Sequence, residues 1–154
     1  MDDRTATFAS AQVGRLPGVL GFEWIEARPG FVRGCFEIDE RHFSPHGFLH
    51  GATIVALADT ACGFGCLSSL PPGAQGFATS ELKVNFLAAA RTGTVSCDAR
   101  LVHGGRTTQV WDAEIGSDAL SRCIALFRCT QFLLYSSDDR PRDTMGSPVS
   151  ARVG

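Results

Sequence analysis

The stretch from residue 43 to residue 72 constrains the fold more than any other part of the chain. It reads FSPHGFLHGATIVALADTACGFGCLSSLPP, and a turn-prone segment at 44–47 and the double proline Pro71-Pro72 enclose about twenty residues that are nearly all apolar or small. An apolar run of this length between turn signals predicts one long helix. Asp59 is its only charged residue. A carboxylate in such a setting must be desolvated unless it has a partner or a task.

Helical spacing sorts these residues into two stripes. The stripe of larger side chains, which we expect to pack into a sheet, contains Ile54, Leu57, Ala61 and Phe64. The other stripe contains Ala52, Val55, Ala56, Asp59, Cys62, Gly63 and Cys66. Because the side chains around the acid are small, this second stripe leaves room for another helix or a ligand. At the helix start, the free N–H groups near His50 and Gly51 favour negative charge.

Alternating apolar and polar residues predict six strands around this helix. The predicted strands are 21–27, 31–38, 76–87, 94–103, 106–115 and about 119–135. The first two form a hairpin around Arg28-Pro29-Gly30, and Gly104-Gly105 is a two-residue hairpin signal. The last strand is apolar enough to be buried on both faces. A short helix over 5–16 is a weaker prediction, since Gly14 and Pro17 interrupt it.

The predicted element order is β-β-α-β-β-β-β, an α+β arrangement. A helix with apolar surface on two sides has to be wrapped by the sheet that follows it. Six antiparallel strands curled around one long central helix form the hotdog architecture. We expect a single domain over 1–135 and, from the polar sequence SSDDRPRDTMGSPVSARVG, a flexible tail over 136–154.

Composition excludes several classes of function. A formal net charge of -2 argues against nucleic-acid binding, which needs a basic surface. No apolar run long enough to span a membrane avoids Asp59, and no secretory signal follows Met1, so we expect a cytoplasmic protein without a membrane partner. The six cysteines form no C-x-x-C pair and have no histidine at a metal-like spacing. We therefore expect buried free thiols and no metal site.

Three segments carry a family resemblance. The run Ser44-x-x-Gly47-x-x-His50-Gly51-Ala52, with Asp59 eight residues after Gly51, resembles the N-x-x-G-x-x-H-G-G motif and helical acid of phenylacetate-degradation (PaaI-like) hotdog acyl-CoA thioesterases. The similarity continues through TSELKVNFL at 79–87 and VHGGRT at 102–107 and covers roughly residues 17–134. The resemblance implies the hotdog fold and thioester hydrolysis.

The resemblance also implies roles for individual residues. Asp59 would be the catalytic carboxylate, acting either as a general base on water or as a nucleophile. The Gly51 N–H would donate to the oxyanion, strengthened by the helix dipole. In this family the two groups come from different subunits, which implies a homodimer, with dimers pairing further into tetramers. Thr79 stands where a hydroxyl assists the water or the carboxylate, and His50 orients the site.

The remaining site residues follow from the same motifs. Ser44 replaces the motif asparagine, an amide thought to position the thioester or the water, and Ala52 replaces the second glycine. The residues predicted to bind substrate are His46, Gly47, Ala52, Ser80, Gly104, Gly105 and Arg106. The last three sit where a hairpin can approach coenzyme A. No cofactor is implied, because coenzyme A is part of the acyl-CoA substrate.

Two functions from different classes remain open from the sequence. The first is a thioesterase acting on an aryl- or medium-chain acyl-CoA. The second is a non-catalytic hotdog protein that binds acyl-CoA or serves as an assembly subunit, which the serine at position 44 keeps open. Dehydratase chemistry on this fold is less favoured, because it requires a histidine paired differently with the helical acid.

Overall fold

The computed structural model describes residues 3–136. Its helices are α1 (Thr5–Ala11), α2 (Leu16–Val19) and α3 (Gly51–Ser68), with a 3-10 turn at Glu40–His42. Its strands are β1 (Glu23–Arg28), β2 (Phe31–Glu37), β3 (Ala74–Phe86), β4 (Thr94–Gly104), β5 (Thr108–Ser117) and β6 (Arg122–Tyr135). The predicted element order is confirmed, and the predicted tail at 136–154 lies, except for its first residue, outside the described residues.

All six strands form one antiparallel sheet in the order β1-β2-β4-β5-β6-β3. Because β3 follows the long helix and joins the sheet beyond β6, the strands curve around α3. The strand β3 is thirteen residues long and forms one edge of the sheet. The predicted α+β hotdog fold, with a long helix wrapped by a curved sheet of six strands, is confirmed.

The core lies between α3 and the inner face of the sheet. Leu57 and Ala61 of α3 are fully buried, as are Trp111 and Ile115 of β5. By length and hydropathy alone α3 could cross a membrane, but half of it is buried in this core. The apolar character of the helix is therefore accounted for by packing against the sheet.

The second stripe of α3 differs from the prediction. Of its members, Cys62, Gly63 and Cys66 are buried inside the protomer. Gly63 lies under the ring of Phe77, and a Cβ there would come within 2.7 Å of that ring. Small residues in the second half of the helix therefore admit the protein's own aromatic rings, and the stretch from 52 to 60 keeps a partly open face beside Asp59.

Burial of β6 on both faces was a wrong prediction. Its buried residues alternate with exposed ones, and Leu126, Phe132 and Leu134 lie exposed on the outer face of the sheet. The inward-facing residues, such as Phe127 and Cys129, are buried against the helix. Apolar residues on both faces of a strand show that both faces are apolar. They do not show whether the same chain buries both faces.

Three boundaries also shift. The β4–β5 turn is centred on Arg106-Thr107, because the Gly105 N–H bonds to the Thr108 carbonyl at 2.9 Å. The predicted turn residues Gly104 and Gly105 therefore lie just before the turn, where Gly105 makes the last hydrogen bond between the two strands. The strand β6 begins at Arg122 rather than near 119. The N-terminal segment forms two short helices, separated where Gly14 adopts a φ of 70°.

The cysteines are free thiols, as predicted. Cys62, Cys66, Cys97 and Cys129 are buried, and the other two are half-buried. Burial raises the pKa of the Cys66 thiol to about 12, so it stays protonated at neutral pH. These four buried side chains act as small apolar groups in the core.

Candidate active site

The carboxylate of Asp59 meets Thr79 at the open face of α3. Asp59 lies in the middle of α3, Thr79 lies on the edge strand β3, and the Thr79 hydroxyl donates to Asp59 Oδ1 at 3.1 Å. Both side chains are half-buried. A bulge after Thr79 separates its pairing with Gln131 from the rest of the ladder, which is a common way to aim a side chain. The two residues that sequence analysis assigned to acid chemistry are therefore brought together.

Two opposing effects act on the Asp59 carboxyl. Burial raises its pKa above the ordinary value for aspartate, and the hydrogen bond from Thr79 lowers the pKa in part. No arginine or lysine is among the causes of the shift. A carboxylate with a raised pKa and no neutralising cation is a better proton acceptor than a surface aspartate.

The helix start carries His50 and Gly51. His50 is the N-cap residue, and its Nδ1 accepts from the Ala52 N–H at 2.9 Å while the ring remains exposed. This contact uses the imidazole to cap the helix and orient its first turn. Within residues 3–136 the Gly51 N–H has no acceptor, so it is free to bind an oxygen atom.

The ring of Phe86 covers Gly51. A Cβ on Gly51 would come within 2.8 Å of the Phe86 ring, although Phe86 itself is 53% exposed at the end of β3. Only a residue without a side chain lets this ring lie so close to the helix start. The edge strand thus reaches the free N–H from one side, as it reaches Asp59 through Thr79 further along.

The loop before the helix forms a tight turn. The Gly47 N–H donates to the Ser44 carbonyl at 3.0 Å, and the Ser44 N–H donates to the Phe48 carbonyl at 2.7 Å. Gly47 has a φ of 75°, which other residues rarely adopt. Within the described chain the Ser44 hydroxyl makes no hydrogen bond, and His46 is exposed at the turn. The loop therefore exposes His46 and leaves Ser44 half-buried beside the helix start.

The other predicted substrate residues lie apart from Asp59. Ser80 occupies the bulge and its hydroxyl donates to the Thr130 carbonyl at 3.1 Å, on the exposed side of the strand. Gly104, Gly105 and Arg106 lie at the end of the β4–β5 hairpin. The sheet register places Gly104 three strands from Thr79, which is about 14 Å at ordinary strand spacing.

Within one copy of the chain, Gly51 and Asp59 are also too far apart to act on one carbonyl. Both lie on α3, and eight residues of helix at 1.5 Å per residue separate them by about 12 Å. A thioester carbonyl needs its oxyanion donor about 3 Å from the oxygen and its attacking group within about 3.5 Å of the carbon. The separation along the helix is therefore longer than these two distances allow for a single carbonyl.

Three residues near these groups were not predicted from the sequence. Phe86 covers Gly51, and His42 is a fully buried histidine under the loop. Gln131, the cross-strand neighbour of Thr79, is fully buried, and its Oε1 has no hydrogen-bond partner among residues 3–136. The spacing Asp39-x-x-His42 resembles a capping box and is a signal that could have identified His42.

Two other features of the surface lie away from this site. A groove of about 400 Å³ is lined by Lys83, Asp98, Arg100 and Arg128, among others, on the outer face of the sheet and hence on the side opposite Asp59. Among residues 3–136, no three His, Cys, Asp or Glu side chains come together as metal ligands.

Comparison with known proteins identifies the family. The thioesterase superfamily matches residues 46–123. A 1,4-dihydroxy-2-naphthoyl-CoA hydrolase of Listeria monocytogenes is 32% identical over 115 residues, which are 75% of this chain and 92% of that protein. The acyl-coenzyme A thioesterase PaaI of Escherichia coli is 31% identical over 112 residues, covering 71% of this chain and 75% of the relative.

Solved structures agree with the sequence relatives. The E. coli PaaI protein from the phenylacetic acid degradation operon superimposes with a TM-score of 0.73 at 25% identity, covering 85% of this chain and 94% of that one. A Streptococcus mutans protein bound to acetyl-CoA superimposes with a TM-score of 0.68 at 27% identity, covering 75% and 90%. From the family match, these relatives and the shared fold, the chain belongs to the thioesterase superfamily and is a PaaI-like thioester hydrolase of the hotdog fold.

Proposed function

We propose that the chain hydrolyses an acyl-CoA thioester at a site shared by two copies of the chain. Asp59 of one copy acts on the thioester, and the Gly51 N–H of the other copy binds the developing oxyanion. The observation that carries the proposal is the separation of about 12 Å between these groups along one rigid helix. A second copy whose helix start lies beside Asp59 would supply the missing donor.

The open face of α3 supports such a pairing. From residue 52 to residue 60 the helix exposes or half-exposes Ala52, Val55 and Ala56 beside Asp59. The edge strand β3 continues this surface with Leu82 and Phe86, which are 41% and 53% exposed. An apolar strip with one central acid, next to an unpaired sheet edge, is suited to a homodimer that encloses a carbonyl.

Asp59 would act on the carbonyl in one of two ways. As a general base it takes a proton from water, which attacks the thioester carbon. As a nucleophile its oxygen attacks that carbon and the carbon–sulfur bond breaks, so that coenzyme A leaves as a thiolate that takes up a proton; water then hydrolyses the resulting anhydride and restores the Asp59 carboxylate. In both cases the carbonyl oxygen becomes negative and is stabilised by the Gly51 N–H at the positive end of the helix. The products are a carboxylic acid and the free thiol of coenzyme A.

We propose an aryl or medium-chain acyl group for the substrate. The Listeria relative is named for a naphthoyl-CoA, whose acyl group is aromatic. The small side chains of Ala52 and Ala56 beside Asp59 leave room for a flat ring or an extended chain.

The test is release of free thiol from benzoyl-, octanoyl- and acetyl-CoA by the wild type and by Asp59→Asn. We expect hydrolysis by the wild type and a fall of about 10²–10⁴-fold in kcat for Asp59→Asn, the usual contribution of a general base. The matched control is Thr60→Ala, because Thr60 lies beside Asp59 and its hydroxyl donates to the Ala56 carbonyl at 2.6 Å rather than to Asp59. Full activity of Asp59→Asn would remove the carboxylate from the mechanism.

A further inference from the structure

His42 is held by both nitrogens of its ring. Its side chain is buried, with 1% of the residue exposed, and packs on Phe36 with ring centroids 4.6 Å apart. Nδ1 accepts from the Asp39 N–H at 2.9 Å, so Nε2 carries the hydrogen and donates to the Leu20 carbonyl at 2.8 Å. The ring is therefore fixed in position and in tautomer by two backbone groups from different segments.

The backbone of His42 in turn holds the start of α3. Its carbonyl accepts from the His50 N–H at 2.8 Å and, at 3.5 Å, from the Thr53 hydroxyl. His50 is the residue directly before Gly51, and Thr53 lies in the first turn of the helix. The two bonds from His42 therefore enclose the peptide that carries the Gly51 N–H.

Three other hydrogen bonds hold this peptide. The Thr53 N–H bonds to the His50 carbonyl at 2.9 Å, the Leu49 N–H bonds to the Ala90 carbonyl at 3.0 Å, and His50 caps the helix through the Ala52 N–H. The preceding loop is exposed at His46 and Gly47. Because an oxyanion donor acts over a range of only about 2.7–3.1 Å, a displacement of 1 Å can cost about 10²-fold in rate. The direction of the Gly51 N–H thus depends on how firmly residue 42 is held.

We propose that His42 is a positioning residue for hydrolysis: its buried ring fixes the backbone that aims the Gly51 N–H at the thioester oxygen. The inference rests on the proposed role of Gly51 as oxyanion donor. His42 touches no reacting atom and acts through the peptide between His50 and Gly51. Its contribution is therefore to the transition state, in which the oxygen is charged, more than to binding of the acyl-CoA.

The test compares His42→Phe with Gln109→Leu. Phenylalanine keeps a ring against Phe36 but loses both hydrogen bonds. Gln109 is a buried residue that holds the opposite end of α3, where its amide donates to the Ser69 carbonyl at 2.8 Å. For His42→Phe we expect kcat to fall about 10–100-fold, while the Kd of a thioether analogue of the acyl-CoA, which has no carbonyl oxygen, changes less than twofold. For Gln109→Leu we expect a lower Tm and nearly unchanged kcat.

A second variant, His42→Asn, keeps the test decisive if His42→Phe does not fold. The asparagine oxygen can accept from the Asp39 N–H, as Nδ1 does, but the donor to Leu20 is lost. We expect a kcat between those of the wild type and His42→Phe, with the Kd of the thioether analogue unchanged. Unchanged kcat in the folded His42 variants, or equal losses of kcat in His42 and Gln109 variants of similar Tm, would overturn the inference. In the same assay an inactive Asp59→Asn together with fully active His42 variants would reject this inference and leave the proposed function standing.

Discussion

The two halves of α3 have similar composition and opposite surroundings. In the second half, Gly63 and Gly65 lie under the rings of Phe77 and Trp111, and Cys62 and Cys66 are buried between helix and sheet. In the first half, small residues surround Asp59 at a face that the same chain leaves partly open.

The difference teaches that small residues on a helix serve two purposes. Where strands lie behind them, they let aromatic rings approach the backbone and fill the core. Where the described chain leaves the face partly open, as around Asp59, they leave room for a substrate or a second copy. The side chains that pack against the helix, and not the helix sequence, decide which purpose applies.

Gly65→Ala tests the second half of α3, which the sheet and its aromatic rings close, and Gly51→Ala tests the first half, which is partly open. At Gly65 a Cβ would overlap the ring of the fully buried Trp111, which cannot move without disturbing the core. We expect the free energy of unfolding, measured with urea, to fall by about 1–3 kcal/mol for Gly65→Ala. At Gly51 the clashing group is the half-exposed Phe86, which can rotate outward, so we expect less than about 0.5 kcal/mol for Gly51→Ala.

Equal losses in the two variants would contradict the comparison, since both halves would then be packed alike. A second readout sharpens it. Gly51→Ala keeps the N–H at the helix start but moves Phe86, so any loss of activity in that variant measures how far the ring contributes to the site.

Thr79→Val tests the link between the open half and the edge strand. Valine fills the same space but donates no hydrogen bond to Asp59 Oδ1. Because that bond favours the carboxylate, its loss leaves burial unopposed and raises the pKa of Asp59 further. The reaction needs the carboxylate, so the acidic limb of the pH profile of kcat/KM should move to higher pH. At pH values on this acidic limb we expect kcat/KM to fall by up to about tenfold, which corresponds to the free energy of a weak charge-assisted hydrogen bond.

Gln131 is the matched comparison for Thr79→Val, because it is the cross-strand neighbour of Thr79 but makes no bond to Asp59. The variant Gln131→Leu removes the buried, unpartnered Oε1, so its stability changes in a direction that does not matter for the comparison. The acidic limb of the pH profile of kcat/KM should stay where it is in the wild type. If the acidic limb shifts in Gln131→Leu and does not shift in Thr79→Val, Thr79 is not the residue that lowers the pKa of Asp59.

The sequence predicted the fold from local signals. One long apolar helix and six alternating segments are enough to give the hotdog arrangement, because strands that follow a doubly apolar helix must cover it. The exposed outer face of β6 could not be predicted, since Phe132 and Leu134 are as apolar as the buried Leu133. The shifted turn at Arg106-Thr107 depends on register across three strands, which the Gly104-Gly105 pair does not encode.

The candidate site was predicted in part. The motif identified Asp59, Thr79 and Gly51, and the structure brings the first two into contact. The sequence could not show that Cys62 and Cys66 face the core, because helical periodicity sorts residues into faces but does not show what packs against each face. His42 and Phe86 were missed because their roles arise from contacts with distant segments, the Leu20 carbonyl and the helix start.

The central claim, a site shared between two copies, needs a variant that removes the Gly51 N–H alone. Gly51→Pro serves this purpose, since Gly51 is the first residue of α3 and proline is well tolerated there. His50, with a ψ of 131°, already has the extended conformation that a following proline requires. Gly51→Ala is the control, because it adds the same Cβ beside Phe86 and keeps the N–H.

The most direct measurement is thiol release by a purified mixed dimer of one Asp59→Asn copy and one Gly51→Pro copy carrying different affinity tags. If each site combines Asp59 of one copy with Gly51 of the other, one of the two sites in this dimer has both intact groups. We therefore predict about half of the wild-type kcat per dimer, although each variant alone is nearly inactive. A mixed dimer no more active than its two parents would contradict the shared site.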